Sequence, residues 1–218
     1  DAEVSNSGVA AASAVTATLD SADGYVIIED GTEYIGDMSP GSTFPLSAAF
    51  RFSATVDAPD GHDALFTLEF AEGSRSVWTE EFELRLHRPN LHQVRIDLDD
   101  SAGNGNGVPE PGETVDVNVE IINEGNGDAG SVSGKLRYPS SGAAVSDSTD
   151  SWGDVAARAS AAGVGGFTFN VSGALTDHFR LVLTDERGGA WSSYIDFSPP
   201  AGPDSLGGEV AGTTIDLL

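Results

Sequence analysis

Val115-Asp-Val-Asn-Val-Glu-Ile121 is the segment that decides the fold class of this chain. Apolar residues stand at every second position, and polar residues stand between them. Successive side chains of a β-strand point to opposite faces of the sheet, so this period of two predicts a strand with one buried face. A single strand is not stable in water, and we therefore expect several partner strands around it.

Short β-rich segments of the same kind recur along the whole chain, with turns rich in Gly, Pro, Asp and Ser between them. In the first half they are residues 15–19, 25–28, 49–53, 65–70 and 78–84. In the second half they are residues 94–98, 115–121, 132–136, 166–170, 180–183 and 191–197. About seven short strands per hundred residues is typical of an Ig-like antiparallel β-sandwich, so we expect an all-β chain.

The two halves are copies of one module. Asn123 lies 117 residues after Asn6 (123 − 6), and the same offset relates several further pairs. These pairs are Leu19 and Leu136, Gly36-Asp37 and Gly153-Asp154, Phe50 and Phe167, and Phe52 and Phe169. The offset then falls to 116 for His62 and His178 and to 113 for Trp78 and Trp191. Matches in one register predict tandem sandwiches at residues 1–90 and 91–200, followed by a linker and candidate strand at 201–218.

One Ala-rich segment could be mistaken for a helix. Residues 155–162 contain five alanines among helix-compatible neighbours. The repeat aligns them with residues 38–45, where Pro40 and Pro45 oppose a helix. Both segments are therefore predicted to be loops.

The first copy lacks the opening of the second. Ala2 corresponds to Val119, so residues 94–98 and the acidic loop that follows them have no match in the first copy. We therefore expect the first sandwich to lack its N-terminal strand and part of the next one. A sheet edge and apolar surface would then stay open.

The C-terminal residues resemble the missing strand. Ile215-Asp-Leu217 repeats Ile96-Asp-Leu98 at an offset of 119. The candidate donor strand comprises Thr213, Thr214, Ile215, Asp216, Leu217 and Leu218. Two interpretations stay open: the chain is a piece of a longer array whose neighbouring repeats supply the missing strand, or the tail of one copy completes the first sandwich of the next copy.

The loop between the first two strands of the second copy is a candidate calcium site. Its oxygen ligands would be the side chains of Asp99, Asp100, Asn104, Asn106, Glu110 and Glu113 and the carbonyl of Val108. With Glu113 at position 12 of an EF-hand-type loop, Gly107 takes the sharp-turn position, but position 1 is Ala102. A calcium loop between strands and a solvated Gly/Asn-rich turn are therefore both open.

The composition excludes several classes of function. The chain has 35 Asp and Glu residues against 10 Lys and Arg, a net charge of −25, and no cysteine. Nucleic acid and anionic membranes would be repelled, whereas divalent cations would be attracted. Disulfides and thiolate sites are absent. No membrane span or signal peptide is visible, so we expect a mature product or fragment, from an extracellular or salt-rich setting.

No residue pattern favours an enzyme. A cysteine nucleophile is excluded, and His62 and His178 lie in turns next to aspartates, where catalysis would also require a positioned serine and a second orienting group. His87 and His92 flank the junction between the copies. We expect Trp78 and Trp191 to pack in the core. Trp152, which matches Ile35, would be a plug at one end of the sandwich or an exposed aromatic contact.

A family resemblance agrees with this description. The string Gly-Asn-Gly-Val-Pro-Glu-Pro-Gly-Glu113, then Asn123-Glu-Gly125 and Trp152-Gly-Asp154, resembles the Ig-like, cell-adhesion-related (CARDB-type) repeats of bacterial secreted and surface proteins. Such repeats are often appended to gingipain-like or subtilisin-like peptidases. The resemblance implies an accessory, adhesive or spacer role outside the cell, compatible with bound calcium. It does not imply peptidase activity for these residues.

Two functions follow from these observations. The first is a non-catalytic structural module of a surface array or filament, with copies of itself or neighbouring repeats as partners. The second is an accessory binding module that docks a secreted hydrolase to polysaccharide or protein. A tail strand buried in a neighbour would favour the first, and an exposed aromatic strip on one sheet would favour the second.

Overall fold

The computed structural model describes residues 2–197, and every regular element in that range is a β-strand. The strands before residue 89 are β1 (Ala2–Ser5), β2 (Ala12–Asp20), β3 (Val26–Asp30), β4 (Thr32–Met38), β5 (Thr43–Leu46), β6 (Arg51–Ala54), β7 (His62–Glu72) and β8 (Arg75–Leu86). The later strands are β9 (Leu91–Asp99), β10 (Thr114–Asn123), β11 (Ala129–Arg137), β12 (Ala143–Asp147), β13 (Thr149–Val155), β14 (Ser160–Ala162), β15 (Phe167–Val171), β16 (Phe179–Thr184) and β17 (Ala190–Ile195). Residues 2–197 thus contain no helix that could cross a membrane.

The chain divides into two units, which are described separately. Unit 1 is Asp1–Arg88 and unit 2 is Pro89–Leu218. The division falls two residues before the boundary that the sequence predicts. Every strand pair within residues 2–197 is antiparallel. This architecture confirms the predicted all-β fold class.

Unit 2 is a sandwich of two antiparallel sheets. One sheet has the order β12-β15-β10-β14, with β9 paired to β10 as a fifth strand, and the other has the order β13-β11-β16-β17. Val115, Val117, Val119 and Ile121 of β10 are all buried, so the predicted period of two holds. Their side chains belong to one continuous apolar core between the sheets.

Unit 1 repeats the strand pairing of unit 2 residue by residue. Glu3 of β1 pairs with Pro45 of β5, and Glu120 of β10 pairs with Ala162 of β14, so both partners are displaced by 117. The same displacement relates the β2–β4 pair to β11–β13 and the β3–β6 pair to β12–β15. The duplication in the sequence is therefore present in the backbone hydrogen bonding.

The last two strands of each unit follow a shorter offset. Trp78 of β8 and Trp191 of β17 occupy equivalent positions, 113 residues apart (191 − 78), as the sequence indicates. The same offset makes His178 equivalent to Leu65 (178 − 113), not to His62. The predicted equivalence of His62 and His178 is therefore wrong, because turn residues can match by chance where strand registers cannot.

The repeated Asn-x-Gly sequence closes the same turn in both units. The Asn123 side chain donates from Nδ2 to backbone carbonyls and accepts at Oδ1 from the N–H two residues later. Asn6 makes the corresponding bonds, with each partner 117 residues earlier. Asn123 is fully buried, whereas Asn6 is partly exposed. Asn123 Oδ1 also accepts from the N–H of Asn90, which has no equivalent in unit 1.

The repeated Gly-Asp pair marks a β-bulge. Gly153 has φ +67°, a left-handed conformation that glycine adopts without a Cβ clash. The next residue, Asp154, accepts at Oδ1 from the N–H of Ser131, which lies at the register shift between β11 and β13. The same bulge and bond recur in unit 1 at positions 117 residues earlier.

Residues 38–45 and 155–162, predicted as loops, are partly strand. Neither segment forms a helix, but β5 begins within the first and β14 within the second. The short strands β4, β12 and β13 were not among the predicted segments either. Hydrogen bonds to β1 and β10 hold β5 and β14 in place, so their conformation depends on neighbours that local propensity does not contain.

Unit 1 differs from unit 2 where β9 and the first half of β10 would lie. β1 corresponds only to residues 119–122 of β10. Unit 1 has one four-stranded sheet, with the order β4-β2-β7-β8. In place of a second continuous sheet it has two separate strand pairs, β1–β5 and β3–β6. Its buried apolar residues form two separate clusters instead of one. Among residues 2–197, no strand of unit 1 therefore occupies the position of β9, and β1 corresponds to only part of β10.

The paired asparagines give a matched test of this duplication. We expect Asn123→Ala to lower the free energy of unfolding of unit 2 by about 2–3 kcal/mol, because buried carbonyls and N–H groups lose their partners. Asn6→Ala should lower that of unit 1 by less, since solvent can replace the lost bonds. Urea unfolding gives the free energies, and differential scanning calorimetry separates the unfolding transition of unit 1 from that of unit 2. Equal losses would contradict the difference in burial as the cause.

Candidate strand-binding groove and acidic loop

Unit 1 has an open groove between β1 and the strands β7 and β8 of the opposing sheet. Its volume is about 520 Å³. Apolar residues from both sheets line it, among them Val4, Val15, Leu68, Phe70 and Trp78. These side chains belong to the core of the unit or pack against it, except for Trp78. The groove is therefore an uncovered part of the sandwich interior rather than a pocket in its outer surface.

The corresponding position in unit 2 is filled by β9. This strand pairs with residues 116–123 of β10 and also contacts β17 of the opposing sheet. Leu91 of β9 is buried, and Ile96 and Leu98 pack against the core. The strand therefore completes both the hydrogen-bonded sheet and the apolar interior of unit 2.

Equivalent residues show what the missing strand leaves open. Phe52 of β6 is 36% exposed, whereas its equivalent Phe169 in unit 2 is 0% exposed. Phe82 of β8 is 38% exposed, whereas its equivalent Ile195 is 2% exposed. Full burial of one large apolar side chain stabilises a structure by about 1.5–3 kcal/mol, so binding of a strand that buries Phe52 and Phe82 would be favourable.

The backbone of β1 is open as well. Residues 120–122 of β10 pair with β14 on one side and with β9 on the other. Within residues 2–197, β1 pairs with β5 alone. Its other edge therefore presents the unpaired N–H and C=O groups that accept an added strand.

The three tryptophans have different surroundings. Trp152 is buried, and its Nε1 donates to the carbonyl of Val119 at 3.0 Å, so it is an interior plug. Trp191 is partly buried against the core of unit 2. Trp78 is 51% exposed, so the prediction that it packs in the core is wrong. The sequence pattern is the same at both positions, but Trp78 faces the groove, which no strand among residues 2–197 covers.

The candidate donor strand, residues 213–218, lies outside the described residues. The structure therefore describes the groove and not the segment that the sequence predicts to fill it. The predicted metal ligands, in contrast, all lie within the described part of unit 2, in the acidic loop between β9 and β10.

Hydrogen bonds among its own residues close the acidic loop. Glu113 accepts at Oε1 from the N–H of Asn104 at 3.0 Å and at Oε2 from the N–H of Glu110 at 2.9 Å. Glu110 Oε2 in turn accepts from the side-chain amide of Asn104. These three predicted ligands therefore do come together on one side of the loop.

The two aspartates at the start of the loop also accept hydrogen bonds. Asp100 is buried and accepts at Oδ2 from the N–H of Gly107 at 2.8 Å. Asp99 accepts at Oδ1 from the N–H of Ser101. Hydrogen bonds from the Ser101 hydroxyl and then its N–H hold the pKa of Asp99 below its ordinary value. Both carboxylates thus stabilise the turn itself.

The fit to calcium is incomplete. Carboxylate and amide oxygens are the right kind of ligand. Asn106 Oδ1, however, accepts from the N–H of Val108 at 2.8 Å, and its amide faces Glu110. Among residues 2–197, no three Asp, Glu, His or Cys side chains gather closely enough to hold a metal ion. Calcium binding therefore stays a prediction.

The four histidines make single contacts with carboxylates. His62 Nε2 lies 2.7 Å from Asp23 Oδ2, and its ring meets the Tyr25 ring edge-on at 5.0 Å. The other pairs, each 3.7 Å apart, are His87–Asp60, His92–Glu124 and His178–Asp196. The His62 pair connects the start of β7 to the turn before β3, so its visible role is to hold unit 1 together.

Comparisons with known proteins add little. No protein-family profile and no curated protein matches this chain. Among solved structures, the exo-chitosanase CsxA of Amycolatopsis orientalis matches at 12% sequence identity over 88% of this chain and 25% of the chitosanase chain, with a TM-score of 0.28. The chain thus spans about a quarter of that chitosanase. So low a TM-score supports no inference about activity, and the predicted kinship with cell-adhesion-related repeats rests on sequence motifs alone.

The Asp23 contacts generate a pH-dependent prediction. The N–H of Tyr25 and then His62 hold the pKa of Asp23 below its ordinary value of 3.8. The charged form is therefore favoured in the folded state, and this stabilisation is present above about pH 4 and lost as the pH falls further. We expect Asp23→Asn to reduce the fall in the thermal midpoint of unit 1 between about pH 5 and pH 3. Asp57→Asn, at an exposed position, is the control, and an equal effect of both substitutions would contradict this assignment.

Calcium binding has a direct test. Roughly 10 mM free calcium, which exceeds the dissociation constants of extracellular calcium modules, should raise the thermal midpoint of unit 2 above its value in chelator. Glu110→Gln should remove that rise, whereas Glu186→Gln, outside the loop, should not. If the midpoint does not change with calcium, the loop is a turn held by its own hydrogen bonds.

Proposed function

We propose that this chain is a non-catalytic structural module of an extracellular array or filament, in which residues 210–218 of one copy occupy the unit 1 groove of the next. The observation that carries the proposal is the vacant strand position. The groove keeps the backbone edge and apolar floor that β9 covers in unit 2. An exposed edge of this kind favours association through an added strand.

The tail carries the apolar pattern that the groove needs. Residues 210–218 align with β9 at an offset of 119 (210 − 91). The inward-facing residues Leu91, Ile96 and Leu98 of β9 correspond to Val210, Ile215 and Leu217. The exposed Val94 corresponds to Thr213. The alignment therefore places apolar residues of the tail at the inward-facing apolar positions of β9. The match extends beyond the three residues Ile-Asp-Leu.

The register of the donated strand follows from β9 and β10. Ile96 pairs with Val119 and Arg95 pairs with Glu120. Transfer by the two repeat offsets places Ile215 opposite Ala2 and Thr214 opposite Glu3, with the strands antiparallel. The main chain of the tail would supply the hydrogen bonds that the open edge of β1 lacks.

The order of elements favours a contact between copies. In unit 2 the strand β9 precedes β10 and opens the unit. Residues 210–218 come after β17, the last described strand of unit 2, and so have the sequence position of an opening strand for a further unit. A head-to-tail contact of this type uses two different surfaces and extends into a filament where the rotation does not close a ring. In a longer chain, a preceding repeat would fill the same groove.

One observation favours the accessory binding module as a second candidate. Trp78 and Phe82 are exposed aromatic residues on the same face of β8. An aromatic strip on a sheet can stack against sugar rings or protein side chains outside the cell. Binding of the chain without residues 209–218 to insoluble polysaccharide, lost in Trp78→Ser, would support this second function instead.

Assembly tests the proposed function. We expect the intact chain to assemble with increasing concentration, and deletion of residues 209–218 to abolish assembly. Ile215→Asn should weaken it by about tenfold or more, because an inward apolar side chain is lost. Thr213→Asn is the matched control, since position 213 faces outward and should tolerate an amide. Sedimentation velocity and electron microscopy measure the assembly of the intact chain and of each variant.

Peptide binding locates the contact. A peptide of residues 209–218 added to the chain without those residues should shift tryptophan emission to shorter wavelength, as Trp78 becomes covered. Trp78→Phe should lose this shift. If the intact chain stays monomeric at all concentrations and the peptide does not bind, the proposed function is wrong. If the peptide binds but the intact chain stays monomeric, the tail closes its own copy and no filament forms.

A further inference from the structure

We propose that repulsion between like charges prevents the strand contact from forming at low ionic strength, so that dissolved salt controls assembly. This proposal rests on the proposed function and concerns the regulation of the same groove. It follows from a comparison of the charges around β9 in unit 2 with those that residues 210–218 and unit 1 would bring together.

In unit 2 an arginine lies beside two of the four carboxylates at the strand contact; the other two, Asp99 and Asp116, lie opposite each other. Arg95 lies opposite Glu120 in the β9–β10 register. Its Nη2 also lies 2.9 Å from Asp97 Oδ1 on the same strand. Opposite charges across an antiparallel pair stabilise the pair, and like charges destabilise it.

The tail has the carboxylate but not the arginine. Asp216 takes the place of Asp97, and Thr214 takes the place of Arg95. Residues 198–218 contain three acidic residues and neither Lys nor Arg; the acidic residues are Asp204, Glu209 and Asp216. Thr214 would face Glu3, which is the equivalent of Glu120. The donated strand thus brings negative charge to an edge that is already negative.

The groove itself adds a second carboxylate. Glu80 lines the groove on β8 between Trp78 and Phe82, and its equivalent in unit 2 is the uncharged Ser193. Inward-pointing charges are a recurrent means of keeping an open sheet edge from pairing with another chain. Glu80 is therefore placed to oppose an added strand until its charge is screened.

Salt is the natural means of screening. The Debye length falls from about 10 Å at 0.1 M to about 3 Å at 1 M ionic strength, so repulsion between partly exposed carboxylates weakens strongly over that range. The net charge of −25 adds a repulsion between whole copies that salt also reduces. Apolar burial in the groove has no such weakening, and assembly should therefore increase with salt.

The experiment measures binding of the 209–218 peptide to the chain without those residues, and assembly of the intact chain, at sodium chloride concentrations from about 0.05 M to 2 M. We expect affinity to rise about tenfold or more over this range. At 0.1 M, Thr214→Arg in the peptide should tighten binding roughly two- to fivefold, as expected of one exposed ion pair. Thr214→Gln, of similar length and no charge, is its control.

Variants of the groove complete the test. Glu80→Ser should tighten binding at low salt and flatten the salt dependence, whereas Glu81→Ser, the same change on the opposite face of β8, should tighten it less. Binding that ignores salt or weakens with it, or an equal effect of Thr214→Arg and Thr214→Gln, would overturn charge control and leave strand donation in place. Absence of binding at every salt concentration would instead overturn the proposed function and this inference with it.

Discussion

A β-sandwich must satisfy two requirements with the same strands: every internal backbone group needs a partner, and the apolar face of each sheet needs a cover. In unit 2, β9 meets both requirements, because it pairs along β10 and packs Leu91 into the core. In unit 1 nothing among residues 2–197 occupies that position. The split sheet, the divided core and the open groove all follow from this one vacancy.

The two units act as an internal comparison, since they share strand registers and the same turn chemistry. Phe52 and Phe169 are the same residue type at equivalent positions, yet one is 36% exposed and the other is fully buried. Residue type therefore does not explain the exposure; among residues 2–197, the difference is that β9 covers this position in unit 2 and no strand covers it in unit 1. The same argument applies to Trp78 and Trp191.

The acidic character of the chain bears differently on its two candidate sites. In the loop after β9, Glu113 and Asp100 accept hydrogen bonds from backbone N–H groups, so carboxylates there support local structure. In the groove, Glu80 is placed on the inward face of β8 beside apolar residues. If the groove receives a strand, that charge would oppose the contact to an extent that depends on the ionic strength of the solution. Carboxylates thus stabilise a turn in unit 2, whereas in unit 1 a carboxylate lies on the inward face of the open groove.

The sequence alone determined the fold class, the duplication and the part of the repeated module that residues 1–90 do not contain, because alternation and register are periodic features that survive substitution. It also marked Asn123 and Asp154 as repeated positions, although their hydrogen bonds became evident only in the fold. It did not predict β5 or β14, the exposure of Trp78 or the self-bonded acidic loop. Those features depend on which segments lie side by side in space. Local sequence specifies what a residue can do, but only its tertiary neighbours decide whether a strand is paired, a tryptophan covered or a carboxylate free to bind.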